Sequence, residues 1–380
     1  MRMSGKFLGL LLQSTRKVIF NHKSKAVVIM ILAKFIFSSG LRLKVTDRLI
    51  LNISPVKTPF SLLKLYDNPI LNLSEGLNGE IIIARGSFFE IFDRRGNFLK
   101  KVGGLGEGPG DFRNIIFVKA YRDKYYILDF PNLMNVFDIK FKFNKRFYLQ
   151  GKGTSPFVFD FEISGGQIFA AQFWRAFMGG GMKEVKDKVI SVYNLNGKFQ
   201  KAIFNFSYAL TLLGNEAYLN PTLCTFNDLI CLAFLALNRI WVIDREGNII
   251  KVKTFGIKSW KNIPYSAKRE EQLRKKGLGP AKIFAWFMTR GSWIYDVNFY
   301  RGYILINALK NKESKGMNLG ISCIYIFDED FKEIEPPISL EGYFLAGVGK
   351  RYIYFVRYLQ SPSTRSKTKI EVKRCVLEKF

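Results

Sequence analysis

From Ile81 onward a single unit recurs six times: an apolar strand, a short polar break, a second apolar strand closed by Asp or Asn, a turn, and a further strand. The strand pairs fall at residues 81–84 with 88–93, 125–129 with 135–139, 167–173 with 189–195, 229–236 with 239–244, 303–308 with 322–328, and 352–357 with 369–374. Turn chemistry repeats with them. Asp93-Arg-Arg-Gly96-Asn97, Asp244-Arg-Glu-Gly247-Asn248 and Asn194-Leu-Asn-Gly197 each place Asx first and Gly where a left-handed residue is needed, which marks hairpin tips.

Such a repeat constrains the fold tightly. The turn residues Asp93, Asp138, Asn194, Asp244 and Asp328 lie 45, 56, 50 and 84 residues apart. A four-stranded β-propeller blade takes about 40 to 50 residues, so the spacing predicts six antiparallel blades, with roughly 30 residues inserted in the long interval. Residues 258–291 supply that insertion, and within it Ser266 and Gly277 bracket a charged run that reads as a short capped helix. The last unit has no room for a fourth strand, while residues 48–53 form a spare one near the start; pairing the two would close the ring and remove an open edge. The expectation is an all-β chain, a six-bladed β-propeller over residues 41–380. A β-sandwich has no reason to repeat one pair and one turn six times.

Residues 1–40 follow a different pattern. Lys17, Lys23 and Lys25 precede an apolar stretch at 26–37, and Ser38, Ser39 and Gly40 follow it, the order of a signal peptide. The stretch is interrupted by Lys34 and falls short of the ~20 residues that cross a bilayer, so a removable export leader is expected, with an uncleaved N-terminal membrane anchor and a cytoplasmic helix as alternatives. Export would put the propeller in the periplasm, outside the cell, or on the outward face of the membrane.

Charge and cysteine usage narrow the chemistry. With 59 Lys and Arg against 31 Asp and Glu, the formal charge is +28, a field that attracts polyanions and anionic surfaces unless it is simply a dispersed, solvated surface. A nucleic-acid binder would need the basic residues on one face, and export argues against it. Cys224, Cys231, Cys323 and Cys375 lack zinc-ligand spacing; free buried thiols are expected, with a Cys224–Cys231 disulfide across the 225–228 turn as the alternative. The only histidine is His22, in the leader, so no histidine triad and no His-ligated zinc can be built beyond it.

One segment carries a family resemblance. Gly103-Gly-Leu-Gly106-Glu-Gly108-Pro109-Gly110-Asp111-Phe112, just after the first hairpin, resembles the Gly-x-Gly-Pro-Gly-Glu-Phe signature of bacterial six-bladed β-propeller proteins, relatives of the NHL-repeat propellers. With the strand pairs, the resemblance covers residues 48–380, although the signature appears clearly once. It departs from the pattern at Asp111, where Glu is usual, and at Asn114, where proline often follows. The resemblance implies an exported or cell-envelope protein more than it implies an activity. Glycines 106, 108 and 110 permit positive φ, Pro109 stiffens the crossover between blades, and Phe112 is expected to plug between them. The segment lacks the Lys-Ser/Thr of a phosphate loop and follows a hairpin instead of opening a helix.

Loops after the second strands converge on one mouth of a propeller, and here they bring together Arg85, Asp129, Phe130, Trp174, Arg175, Asn238 and Arg357. Arginines and aromatics suit an anionic or carbohydrate ligand, although ordinary rim residues would look the same. Trp174-Arg175 stands out beside Gly179-Gly-Gly181, because an exposed aromatic next to a glycine run usually makes a contact. The expectation is a monomeric, non-enzymatic binding or scaffold module, without cofactor or metal, that engages an anionic or carbohydrate polymer or a protein partner. Membrane contact would come only through an uncleaved leader. The alternative is a metal-dependent hydrolase or lactonase holding Ca2+ or a similar ion on carboxylates at the mouth.

Overall fold

The structure is a computed structural model, which describes residues 41–54, 72–151, 157–172, 188–205, 221–235, 237–254, 267–279, 283, 292–310, 321–334, 337–359 and 367–379. The chain forms two compact units, Met1–Arg42 with Leu377–Phe380, and Leu43–Val376. In the first, Arg42 Nη2 lies 3.4 Å from Glu378 Oε2. The leader falls outside the described residues. The second unit holds the blades.

Six antiparallel sheets follow one another along the chain. Blade 1 consists of β2 (Asn72–Glu75), β3 (Ile81–Arg85), β4 (Phe88–Phe92) and β5 (Phe98–Val102). Blade 2 is β6 (Ile115–Tyr121), β7 (Lys124–Asp129), β8 (Leu133–Asp138) and β9 (Phe143–Tyr148). Blade 3 is β10 (Val158–Ser164), β11 (Gln167–Gln172), β12 (Lys188–Asn194) and β13 (Phe199–Asn205). Blade 4 is β14 (Pro221–Phe226), β15 (Leu229–Phe234), β16 (Arg239–Ile243) and β17 (Ile249–Thr254). Blade 5 has three regular strands, β18 (Ser292–Tyr300), β19 (Tyr303–Lys310) and β20 (Ile321–Asp328), and its outer edge is met by Glu333 and Ile338 through isolated bridges to Phe327 and Ile324. Blade 6 is β21 (Phe344–Val348), β22 (Ile353–Tyr358) and β23 (Thr368–Lys379), completed by the N-terminal β1 (Leu41–Ile53).

The first strands of the blades touch in cyclic order, β2, β6, β10, β14, β18, β21 and β2 again, so they line the axis of a ring. Second and third strands are apolar on both faces, as in Ile-Ile-Ile-Ala-Arg of β3, because each blade is covered by its neighbours. Apolar clusters therefore sit between blades. Phe161, Ile168 and Ala170 of blade 3 pack with Tyr126, Leu128 and Val136 of blade 2, and the same arrangement recurs around the ring.

Ring closure comes as the spare strand predicts, with β1 on the outer side of β23. The strand begins earlier than residue 48 because its alternating pattern already runs through Leu43, Val45 and Asp47. Leu49, Leu51 and Ile53 are buried and pack against Leu73, Ile81 and Ile83 of blade 1, so β1 both completes blade 6 and seals it to its neighbour.

Hairpin tips follow the expected chemistry with one variation. Asp93 Oδ1 accepts from the N–H of Arg95 and of Asn97, and Gly96 adopts φ 86°. Asp244 and Gly247 repeat this. In blades 2 and 5 the glycine position is taken by Phe141 and Phe331, at φ 59° and 61°. Their rings supply what the backbone lacks, Phe141 stacking on Tyr125 at 4.3 Å and Phe331 lying 5.9 Å from Phe226. Within the insertion, α1 (Ala267–Lys275) ends at Gly277, whose φ of 77° lets Leu278 N–H reach the Leu273 carbonyl at 3.1 Å. Ion pairs Glu270–Arg274 and Glu271–Lys275 run along the helix, while Ser266 lies outside the described residues.

Candidate functional site

The innermost strand of each blade contributes one residue to each of two levels of the ring. Asn72, Phe117, Asp160, Thr222, Asp296 and Phe344 occupy one level, paired with Ala84, Leu128, Ala171, Ala233, Asn307 and Val356 of the second strands. Ser74, Lys119, Glu162, Cys224, Asn298 and Gly347 occupy the next. Register shifts precede Asp160 in β10 and Asp296 in β18, and such bulges re-aim the following side chain.

These residues fasten blade 1 to 2, 2 to 3, 3 to 4 and 4 to 5. Asn72 donates to the Ile116 carbonyl and Ser74 Oγ to that of Val118 at 2.5 Å. Lys119 reaches Glu162 directly and Asp160 at 3.6 Å. Asp160 accepts from Leu223 N–H at 2.9 Å and Thr222 Oγ1 at 3.0 Å, and Thr222 Oγ1 lies 3.2 Å from Asp296 Oδ1. Asn298 donates to Asp296 Oδ2 at 2.6 Å. At the seam between blades 6 and 1, a Cβ on Gly347 would overlap the Leu73 carbonyl, and Arg351 N–H donates to Glu75 at 3.0 Å.

Burial sets the electrostatics of this girdle. It raises the Asp296 carboxyl to about 7, and the Asp160 charge pushes the same way. Burial also raises Glu162, opposed by Lys119. For Lys119, burial pulls the ammonium down, but Glu162 and Asp160 outweigh it and hold it above its ordinary value. Among the described residues, no group of three or more His, Cys, Asp or Glu is arranged to hold a metal ion. The sequence reading passed over this cluster. Its signal is legible in retrospect: Phe-Asp-Phe-Glu-Ile at 159–163 and Asp-Val-Asn at 296–298 put polar residues at every second position of strands that are otherwise core.

Opposite in sign is the outside of the ring. The outer strands β5, β9, β13 and β17 carry Lys100, Lys101, Lys145, Arg146, Lys201, Lys251 and Lys253, and no Asp or Glu. Acids are placed instead at the turns, as Asp93, Asp138 and Asp244, or on the axis. Large apolar residues are exposed among these lysines, with Phe98 and Leu99 each 54% exposed and Ile250 59%.

The residues that the sequence assigns to a mouth are distributed over several blades. Arg85 is buried and donates to the Ser54 carbonyl; burial lowers its guanidinium, opposed by Tyr358 and Glu90. Asp129 is buried, accepting from the N–H of Arg113 at 3.0 Å and of Asn114 at 2.6 Å. The neighbouring Phe130 is partly exposed, 5.7 Å from Phe157, and Asn238 is partly exposed ahead of β16. Arg357 is exposed, pairs with Glu371 and lies 4.8 Å from the Tyr343 ring. Trp174 and Arg175 lie outside the described residues.

The 103–112 segment is held by the Phe112 ring and the Arg146 guanidinium. Phe112 is fully buried, 6.0 Å from both Phe89 of blade 1 and Phe137 of blade 2. Arg146 donates to the carbonyls of Glu107 at 2.7 Å and Gly108 at 2.5 Å. Gly110 has φ 85°, whereas a Cβ at Gly106 or Gly108 would press on the Asp111 carboxylate. All four cysteines are buried thiols outside any disulfide, Cys224 facing Cys231 across the β14–β15 ladder.

Six antiparallel blades closed by an N-terminal strand around a polar axis define the class of this protein, a six-bladed β-propeller. It is similar in structure to a member of the DUF4221 family from Bacteroides vulgatus, with 12% identity, 90% of this chain and 100% of that chain covered, and a TM-score of 0.60. It is similar also to a candidate exported protein from Bacteroides fragilis, with 11% identity, 90% and 97% coverage, and a TM-score of 0.55. At such identities the likeness shows the fold. No protein-family model and no curated protein matches the sequence. Among the described residues no helix is long and apolar enough to cross a membrane.

Proposed function

We propose that this chain is an exported, non-enzymatic binding propeller that holds an anionic polymer of the cell envelope against its outer strands. The observation that carries the reading is the sorting of charge, with basic residues and no carboxylate on β5, β9, β13 and β17. A polyanion laid along these strands meets basic residues from four blades, and release of its counterions drives binding. The order of residues 1–40 and the likeness of 103–112 to the signature of bacterial propellers support export. Phe130 and Asn238, both partly exposed, would add contacts for a carbohydrate or protein partner.

Long-chain inorganic polyphosphate is a suitable probe, with neutral dextran as control. Polyphosphate should bind at low salt and weaken by roughly tenfold or more between 50 and 200 mM salt, and dextran should not bind. Charge reversal at Lys100 and Lys253 should weaken polyphosphate binding further. Salt-independent binding, or equal binding of dextran, would overturn the outer-strand reading in favour of the mouth.

A further inference from the structure

Thr222 Oγ1 stands between two carboxylates, 3.0 Å from Asp160 Oδ2 and 3.2 Å from Asp296 Oδ1. A hydroxyl has one proton to donate and lone pairs with which to accept. If both acids were ionised, one of these contacts would set oxygen against oxygen with no hydrogen between them. The remaining donors are unequally shared. Asp160 also receives Leu223 N–H at 2.9 Å, Phe161 N–H at 2.8 Å and the Lys119 ammonium at 3.6 Å, which suits an anion. Asp296 receives Asn298 Nδ2 at 2.6 Å, on its other oxygen.

We propose that Asp160 and Asp296 share a single proton through Thr222, and that this proton fastens blades 3, 4 and 5 to one another at the ring axis. Asp296 Oδ1 donates to Thr222 Oγ1, which donates to the ionised Asp160. Every element facing the site fits this assignment. Strand β6 brings Lys119, β10 brings Asp160 and Glu162, β14 brings Thr222 and the buried thiol of Cys224, and β18 brings Asn298. Strands β2 and β21 present Ser74, Asn72 and Gly347 at these levels, and the nearby Glu75 is engaged with Arg351 at 3.6 Å. Lys119 neutralises one charge of the three acids, and the shared proton removes another.

A raised carboxyl contributes stability that is complete below its unfolded value and lost as pH climbs through its folded value. Burial and the Asp160 charge raise Asp296 from 3.8 to about 7, so its contribution should fade between pH 4 and 7. Above that range the proton passes to water, and two anions oppose each other across Thr222.

The test is carboxyl-carbon NMR of the full chain labelled at aspartate, together with urea unfolding across pH 5 to 8. One aspartate carboxyl should titrate near neutrality and be missing in Asp296→Asn. In that variant the amide donates to Thr222 at every pH, so its urea midpoint should lack the decline that the wild type shows up to pH 7, above which the wild type reaches a plateau. Aspartates that are all ionised above pH 5, or an Asp296→Asn midpoint that declines as the wild type does, would overturn the proposal. Should the variant fail to fold, the wild-type titration alone decides.

Discussion

A phenylalanine and an aspartate show how single side chains act here. Phe112 fills the space between blades 1 and 2 with no exposed surface, so Phe112→Ala should cost about 3–5 kcal/mol in urea unfolding, the range for emptying an aromatic site in a core. Asp129, sequence-selected for the mouth, has its carboxylate on two backbone N–H groups, and burial raises it against their pull. Residue type alone does not separate an acid that faces a ligand from one that holds a crossover, since both sit at the end of a second strand. The girdle acids were harder to read for the converse reason. Asp160 and Glu162 lie inside a Phe-rich strand, where composition says core and only the two-residue alternation says that one edge is polar.

Strands and turns were the most legible level, because their signals are local. The Asx-Gly tips at residues 93–97, 194–197 and 244–248 are hairpins as their chemistry requires, and the second and third strands match their apolar runs to within a few residues. Phe141 and Phe331 escape the same rule because tertiary stacking stabilises a backbone conformation that local preference disfavours. Two glycines separate conformational cost from crowding. At Gly277, φ is 77° and nothing lies within 4 Å of a built Cβ, so Gly277→Ala should cost about 1 kcal/mol. At Gly247, φ is 88° and the Cβ would come 2.7 Å from Phe204 N, so Gly247→Ala should cost clearly more. Denaturant midpoints of the two variants, measured side by side, check the order.

At the scale of the whole ring, each blade except the sixth is built from consecutive chain, and the sixth joins the two ends of the propeller. That arrangement ties global stability to a strand whose own pattern gave away its place, since residues 48–53 have no partner in sequence. The distribution of charge was not legible in this way. Net charge is a sum over the chain, and its sorting into basic outer strands and an acidic axis exists only once the strand order is known. Closure makes a definite demand. Leu51 is fully buried at the seam with Ile81 and Tyr354, so Leu51→Ala should cost about 2–5 kcal/mol. Removing residues up to 53 should do more than lower stability, because it bares the edge of β23. Sedimentation of the truncated chain should show concentration-dependent association, and a truncated chain that stays monomeric would mean that the edge is protected by something other than β1.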